Sequence, residues 1–89
     1  MIERELTVSN RLGLHARATA KLVQLLSGYK SNVTLTAKGR EVNAKSIMGV
    51  MLLAAGQGAN VKLRADGEDE EAVSEAVTDL FDRRFDEEN

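Results

Sequence analysis

The apolar residues of this 89-residue chain recur at every second position in some segments and at every third or fourth position in others. Alternation at every second position is typical of a strand with one buried face, and the wider spacing is typical of an amphipathic helix. The two patterns predict seven elements in the order βαββαβα, with strands at 2–8, 33–37, 40–44 and 61–65 and helices at 16–26, 47–53 and 69–84.

The predicted fold class is α+β, an open-faced β-sandwich. Because the strands alternate rather than run continuously apolar, we expect a four-stranded, mainly antiparallel sheet with three helices on one face. The other face is expected to expose Thr34, Thr36, Lys62 and Arg64 to water. The chain has no proline, and no linker or repeat interrupts the pattern, so residues 1–89 are predicted to form a single domain.

Composition excludes several kinds of site. The chain has no cysteine and one histidine, which rules out a disulfide framework, a thiolate nucleophile and a metal centre of several imidazoles. We therefore expect neither a metal nor a cofactor. No glycine-rich phosphate loop is present, and the predicted strands lack aromatic residues on which bases could stack. These absences disfavour a nucleotide-binding enzyme and a nucleic-acid-binding protein.

The sequence predicts neither a membrane span nor an export signal. No apolar run approaches the roughly 20 residues that cross a bilayer, and the charged first five residues do not resemble a secretion signal. We therefore expect a cytoplasmic protein without membrane insertion.

Charge is distributed unevenly between the two halves. Residues 1–45 contain eight basic and three acidic side chains, whereas residues 46–89 contain four basic and eleven acidic ones. Two interpretations stay open. The basic half could steer an acidic partner to one side of the domain, or the last helix could simply have a solvated acidic face.

The single histidine, His15, lies where the first helix is predicted to begin. The start of a helix presents unpaired N–H groups and a partial positive charge, which together attract anions. This positive end favours the neutral imidazole, whose ring nitrogen is a nucleophile. A phosphoryl group on that nitrogen would lie beside the N–H groups of Ala16 and Arg17, where the Arg17 guanidinium could hold it. On the residues alone, a plain surface or capping histidine is the open alternative.

Two segments resemble the histidine-containing phosphocarrier family, HPr. They lie at the family's usual spacing, and the order of elements agrees over almost the whole chain. The segments are Leu12-Gly13-Leu14-His15-Ala16-Arg17-Ala18 and Ala44-Lys45-Ser46-Ile47-Met48-Gly49-Val50-Met51, the second followed by Leu53-Ala54-Ala55, Gly56 and Gly58. The acidic ending Phe85-Asp86-Glu87-Glu88 resembles the nitrogen-type branch, called NPr.

The resemblance implies a phosphoryl relay of the phosphotransferase system. A phosphoenolpyruvate-dependent enzyme I passes the phosphoryl group to the histidine, which passes it to an enzyme IIA domain in sugar uptake or in nitrogen or carbon regulation. By position, His15 is the carrier nucleophile through Nδ1, and Arg17 stabilises the phosphoryl group. Such a protein carries the group and is not a turnover enzyme. Ala18 stands where the family very often has proline, and alanine preserves the helix.

Ser46 and the helix after it allow two readings. As an N-cap, Ser46 would stabilise the second helix by about 1 kcal/mol. The resemblance instead matches Ser46 to a regulatory serine that an ATP-dependent kinase modifies, which adds a Ser46 kinase or phosphorylase as a partner. A regulatory binding module controlled by phosphorylated Ser46 is thus the alternative function. Core packing explains most apolar residues of the second helix, and the resemblance identifies Ile47, Met48 and Met51 as partner contacts.

Overall fold

The computed structural model describes residues 1–87, in which four strands form a single sheet. The strands are β1 (Ile2–Thr7), β2 (Asn32–Ala37), β3 (Arg40–Asn43) and β4 (Asn60–Asp66). Their order across the sheet is β1-β4-β2-β3, and every pairing is antiparallel. The two middle strands are therefore β4 and β2, which are separated in the sequence by β3 and a helix.

Three helices cover one face of this sheet, α1 (Ala16–Leu26), α2 (Ile47–Leu52) and α3 (Glu70–Asp82). The predicted order βαββαβα and the open-faced, antiparallel α+β architecture are confirmed. Alternate residues of the strands pack against the apolar faces of the helices, as the spacing required. The buried side chains include Leu6, Val33, Leu35, Val61 and Leu63 of the sheet and Ala18, Leu22, Leu26, Val73, Val77 and Leu80 of the helices.

The open face of the sheet is less exposed to solvent than the alternation of apolar and polar residues predicted. Lys62 is exposed, but Thr34, Thr36 and Arg64 are half-buried. The Arg64 guanidinium lies across the strands, with Nη2 2.9 Å from a carboxylate oxygen of Glu3. Nη1 of the same guanidinium lies 3.7 Å from a carboxylate oxygen of Glu41 on β3, so the Arg64 side chain spans β2 and shields the threonines of that strand.

The predicted end of the third helix is wrong. The helix was expected to run to Arg84, with that residue on its apolar face, but α3 ends at Asp82 and Arg84 is exposed. Arg84, Phe85 and Asp86 form one 3-10 turn with φ angles of 57°, 56° and 60°, the left-handed region. This reversal buries Phe85, whose ring centroid lies 4.9 Å from that of Phe81. Burial of the aromatic ring offsets the cost of the left-handed backbone.

No helix within residues 1–87 has both the length and the apolar character that crossing a bilayer requires.

Candidate functional site

The loop that precedes α1 is held against the loop that follows α2. Gly13 has a φ of 69°, and a Cβ atom built on it would lie 2.5 Å from the carbonyl oxygen of Ala55. Next to it, the N–H of Leu14 donates to that same carbonyl over 2.9 Å. Only glycine combines this left-handed backbone with such a close approach. The contact fixes where α1 begins, and with it the position of His15.

His15 is the N-cap residue of α1, where the sequence predicted the helix to start. Its backbone is extended, with φ −79° and ψ −177°, and its carbonyl accepts the first bond of the helix from the Thr19 N–H over 2.9 Å. Over residues 1–87, its side chain makes no capping bond to the helix. The side chain is 29% exposed, so the ring lies at the surface and not in the interior.

A carboxylate from the end of the chain contacts the histidine ring. Oε2 of Glu87 lies 2.6 Å from Nε2 of His15. The other oxygen, Oε1, accepts from the side-chain amide of Asn10 over 3.0 Å, and that amide also donates to the carbonyl of Gly13 over 2.8 Å. Sequence reasoning missed both Asn10 and Glu87. Asn10 lies in a turn-rich stretch and Glu87 in the acidic ending, but no local pattern relates residues 77 positions apart.

These bonds stabilise the charged form of the carboxylate. The Asn10 amide, followed by the His15 ring, lowers the pKa of Glu87 below its ordinary value, although partial burial opposes the shift. A carboxylate whose pKa is lowered on folding stabilises the fold above its ordinary pKa. This contribution is lost as the pH falls through the lowered value.

The last described residues form a strap, Phe85–Glu87, which crosses the start of α1. The ammonium group of Lys21, one turn into α1, donates to the carbonyl of Phe85 over 2.7 Å and lies 3.9 Å from the carboxylate of Asp86. With the buried Phe85 ring, these contacts hold the strap at both its start and its middle. Glu87 therefore reaches His15 from an anchored segment.

The His15 ring lines a cleft of about 750 Å³ between α1 and the strap. Three basic and two acidic side chains line it, together with the start of α1, which carries N–H groups without helical partners. Its lining residues are Arg11, Leu12, His15, Ala16, Arg17, Lys21, Asp86 and Glu87. The structure thus brings together the three residues predicted around the phosphoryl group, His15, Ala16 and Arg17. Within residues 1–87, no group of three or more candidate ligands is arranged to hold a metal ion.

Ser46 is the N-cap of α2, as predicted. Its hydroxyl accepts from the N–H of Gly49 over 3.1 Å. A Cβ atom at Gly49 would lie 3.3 Å from the Ser46 hydroxyl oxygen, which is a tight contact. Because glycine has no Cβ atom, the hydroxyl keeps its bond to the Gly49 N–H without being pushed aside. Ser46 does not line the cleft around His15.

The outer side of α2 is an apolar patch, Ile47, Met48, Met51 and Leu52, all of which are exposed. Met48 is the most exposed of the four, at 75%. The three residues predicted as partner contacts are therefore at the surface. Sequence reasoning missed Leu52, and it also missed Leu12, an exposed side chain that lines the His15 cleft.

Comparisons with known proteins give matches that extend over nearly the whole chain. The family model described as "PTS HPr component phosphorylation site" matches residues 2–83. Phosphocarrier protein HPr of Xylella fastidiosa (strain Temecula1 / ATCC 700964) is 66% identical over 87 residues, which cover 98% of each chain. Phosphocarrier protein NPr of Shewanella violacea is 37% identical over 86 residues, covering 97% of this chain and 94% of that protein.

Among solved structures, the crystal structure of HPr-C-His from Thermoanaerobacter tengcongensis superposes with a TM-score of 0.96 at 44% identity, and each chain is covered completely. Relatives under both names, HPr and NPr, therefore match this chain. Of the acidic ending that resembles NPr, Glu88 lies outside the described residues.

Proposed function

We propose a mechanism from one premise: this chain belongs to the HPr family, and it is a phosphocarrier of the phosphotransferase system rather than a turnover enzyme. On this premise, His15 accepts a phosphoryl group from the phosphoenolpyruvate-dependent enzyme I and hands it to an enzyme IIA domain. The observation that carries the proposal is the partly exposed imidazole at the N-terminus of α1, facing a cleft lined by Arg17 and Lys21.

Transfer to His15 exchanges one bond to phosphorus for another. The lone pair of Nδ1 attacks the phosphorus atom, a P–N bond forms, and the bond from phosphorus to the donor breaks with its electron pair left on the donor. The N–H groups of Ala16 and Arg17 then lie where a dianionic group gains from the helix dipole. Onward transfer reverses these roles, with Nδ1 as the leaving group and the acceptor group of the IIA domain as the nucleophile.

This function is tested by incubating the protein with enzyme I and labelled phosphoenolpyruvate. We expect one labelled phosphoryl group per chain, released by acid and stable to alkali, as a P–N bond requires. Transfer of that label to an enzyme IIA domain would complete the relay. Absence of label, or label that is stable to acid, would contradict the proposal.

Arg17 is proposed to hold the phosphoryl oxygens during transfer. Its side chain is exposed in the cleft, so it can reach a phosphoryl group on the neighbouring ring. We expect Arg17→Ala to slow transfer from phosphorylated enzyme I by about tenfold to a hundredfold, because a charge-assisted bond to the phosphoryl group is lost. Arg17→Lys should recover only part of the rate, since it keeps the charge but loses the two-point geometry. Rapid-quench kinetics would measure both, and an alanine variant as fast as the parent protein would exclude this role.

Ser46 is proposed to regulate the same relay through charge. A phosphate on Ser46 would add about two negative charges at the start of α2, where the helix tolerates them, and would repel an acidic partner. A Ser46 kinase or phosphorylase would then set how fast the relay runs.

The variants Ser46→Asp and Ser46→Asn test this charge effect directly. Both side chains cap a helix, and they differ in charge alone. We expect Ser46→Asp to slow transfer about tenfold, with Ser46→Asn close to the parent and circular dichroism spectra unchanged in both. The difference should shrink at high salt, because ions screen exposed charges. Equal rates for the two variants would rule out an electrostatic switch.

The apolar patch on α2 is proposed as the surface on which partners dock, with Ile47, Met48 and Met51 as contacts. Exposed methionines adapt to differently shaped partners, and a carrier must meet both a donor and an acceptor. What supports the proposal is the exposure of all three side chains on a helix whose other side packs against the core.

A further inference from the structure

The short contact between Glu87 and His15 has a chemical consequence for the ring. An ionised carboxylate has acceptors only, so a bond over 2.6 Å to Nε2 requires that Nε2 carries the hydrogen. A neutral imidazole has one hydrogen, and its other nitrogen is then the acceptor and the nucleophile. Across residues 1–87, the structure records a hydrogen-bond partner for Nε2 and none for Nδ1.

The carboxylate is itself held in place, which distinguishes it from a mobile surface charge. Its side chain is only 13% exposed, and the amide of the fully buried Asn10 binds its second oxygen. The strap on which it lies is anchored by the Phe85 ring and by Lys21. Little conformational freedom is lost when such a pre-ordered group meets the ring, so the contact can select a ring state.

We propose that Glu87 is a positioning residue that fixes the His15 tautomer with hydrogen on Nε2, so that Nδ1 faces the cleft as the nucleophile. This inference rests on the proposed function, and it adds a residue from the end of the chain to the relay. Asn10 supports the same arrangement, since it orients the carboxylate and ties it to the carbonyl of Gly13, two residues before the histidine.

The same contact acts in both directions of the relay. When Nδ1 bonds to phosphorus while Nε2 keeps its hydrogen, the ring acquires a positive charge, which the Glu87 carboxylate offsets. In onward transfer the P–N bond breaks, and the electron pair returns to Nδ1. Because Nε2 still carries its hydrogen, the leaving group is a neutral imidazole and not an imidazolate. No proton has to enter or leave the site in either step.

Nuclear magnetic resonance of the unphosphorylated protein, with nitrogen-15 in the ring, tests the ring state at a pH at which the imidazole is neutral. We expect a hydrogen on Nε2 that exchanges slowly and resonates far downfield, as a short bond to a carboxylate requires. Glu87→Ala should abolish this signal, and Glu87→Gln should keep it with a smaller shift, because its one amide oxygen can accept from Nε2 while the bond from Asn10 is given up. Glu75→Gln removes an equal charge from the exposed side of α3 and should leave the signal unchanged.

Transfer from phosphorylated enzyme I is the second readout. We expect Glu87→Ala to slow it about tenfold, Glu87→Gln to recover part of that loss, and Glu75→Gln to stay within twofold of the parent. A parent protein without the protected Nε2 hydrogen would overturn the inference, and so would a Glu87→Ala variant that loses the signal but transfers at the parental rate. If Glu87→Ala fails to fold, the Glu87→Gln spectrum decides alone, and loss of its signal would count against the inference.

The two experiments, the ring spectrum and the transfer assay, separate this inference from the proposed function. The ring spectrum is recorded without enzyme I, so it reports on Glu87 even if the protein accepts no phosphoryl group. Conversely, a parent that is labelled on His15 while its ring lacks the protected hydrogen would uphold the relay and reject the role of Glu87.

Discussion

Replacement of His15 by alanine is expected to reduce phosphoryl uptake from enzyme I to the level measured without the carrier. His15 is the single imidazole in the chain, and no cysteine is present as a substitute nucleophile. The hydroxyl groups of serine and threonine do not form the acid-labile, alkali-stable bond expected for the product. Removal of the ring therefore removes the accepting atom, and no neighbouring side chain can restore the activity. The measurement is the labelled phosphoryl group retained per chain after incubation with enzyme I and phosphoenolpyruvate.

The fold should survive this substitution, which makes the loss interpretable. The ring is partly exposed and does not cap α1, so its removal leaves neither a cavity in the core nor an unpaired helix bond. His15→Asn is the matched control, because asparagine caps helices well but is not a nucleophile toward phosphorus. Both variants should keep the parental circular dichroism spectrum and accept no label. Alkali-stable label on either variant would show that another residue accepts the group.

Replacement of Gly13 by alanine is expected to lower the free energy of unfolding by about 4 kcal/mol, a large part of the roughly 5–10 kcal/mol of a domain of this size. The left-handed φ of 69° contributes about 1–2 kcal/mol of this cost. The rest comes from a Cβ atom 2.5 Å from the Ala55 carbonyl oxygen and 2.7 Å from the Gly56 Cα atom, because backbone atoms cannot move aside without displacing both loops.

Gly39→Ala is the control that isolates the steric part. Gly39 has a similar φ of 78°, but a Cβ atom there would have no neighbour within 4 Å. It should therefore show the conformational cost alone, about 1–2 kcal/mol. Urea denaturation of both variants would measure the difference, and equal destabilisation would mean that the approach to Ala55 is not rigid. Any Gly13→Ala protein that folds should also transfer slowly, because the loop that positions His15 has moved.

The charge pattern gains a structural explanation that the sequence left open. The exposed side of α3 carries acidic residues such as Glu75 and Asp79, so part of the acidic half is a solvated helix face. Another part pairs with basic groups, since Asp86 and Glu87 fold back onto Lys21 and His15 in the basic half. Two distant segments of opposite charge thus meet at one cleft.

Local spacing was sufficient for most of the architecture. The alternation in residues 61–65 and the helical spacing in residues 16–26 each report burial of one face, which the sheet and the helices then satisfy jointly. For the same reason Ser46 could be assigned as a cap and His15 as the first residue before a helix, since both roles depend on the few residues that follow.

The sequence by itself determined the order of elements, the antiparallel sheet and the place of the single imidazole just before a helix, because each follows from periodicity or composition within a short window. Tertiary structure alone decided that the chain reverses at Arg84, buries Phe85 and delivers the Glu87 carboxylate to the far nitrogen of that imidazole. The reason is physical. Burial of the aromatic ring offsets the cost of leaving the helical backbone conformation only when a core is present to receive the ring, and no local pattern shows where that core will be.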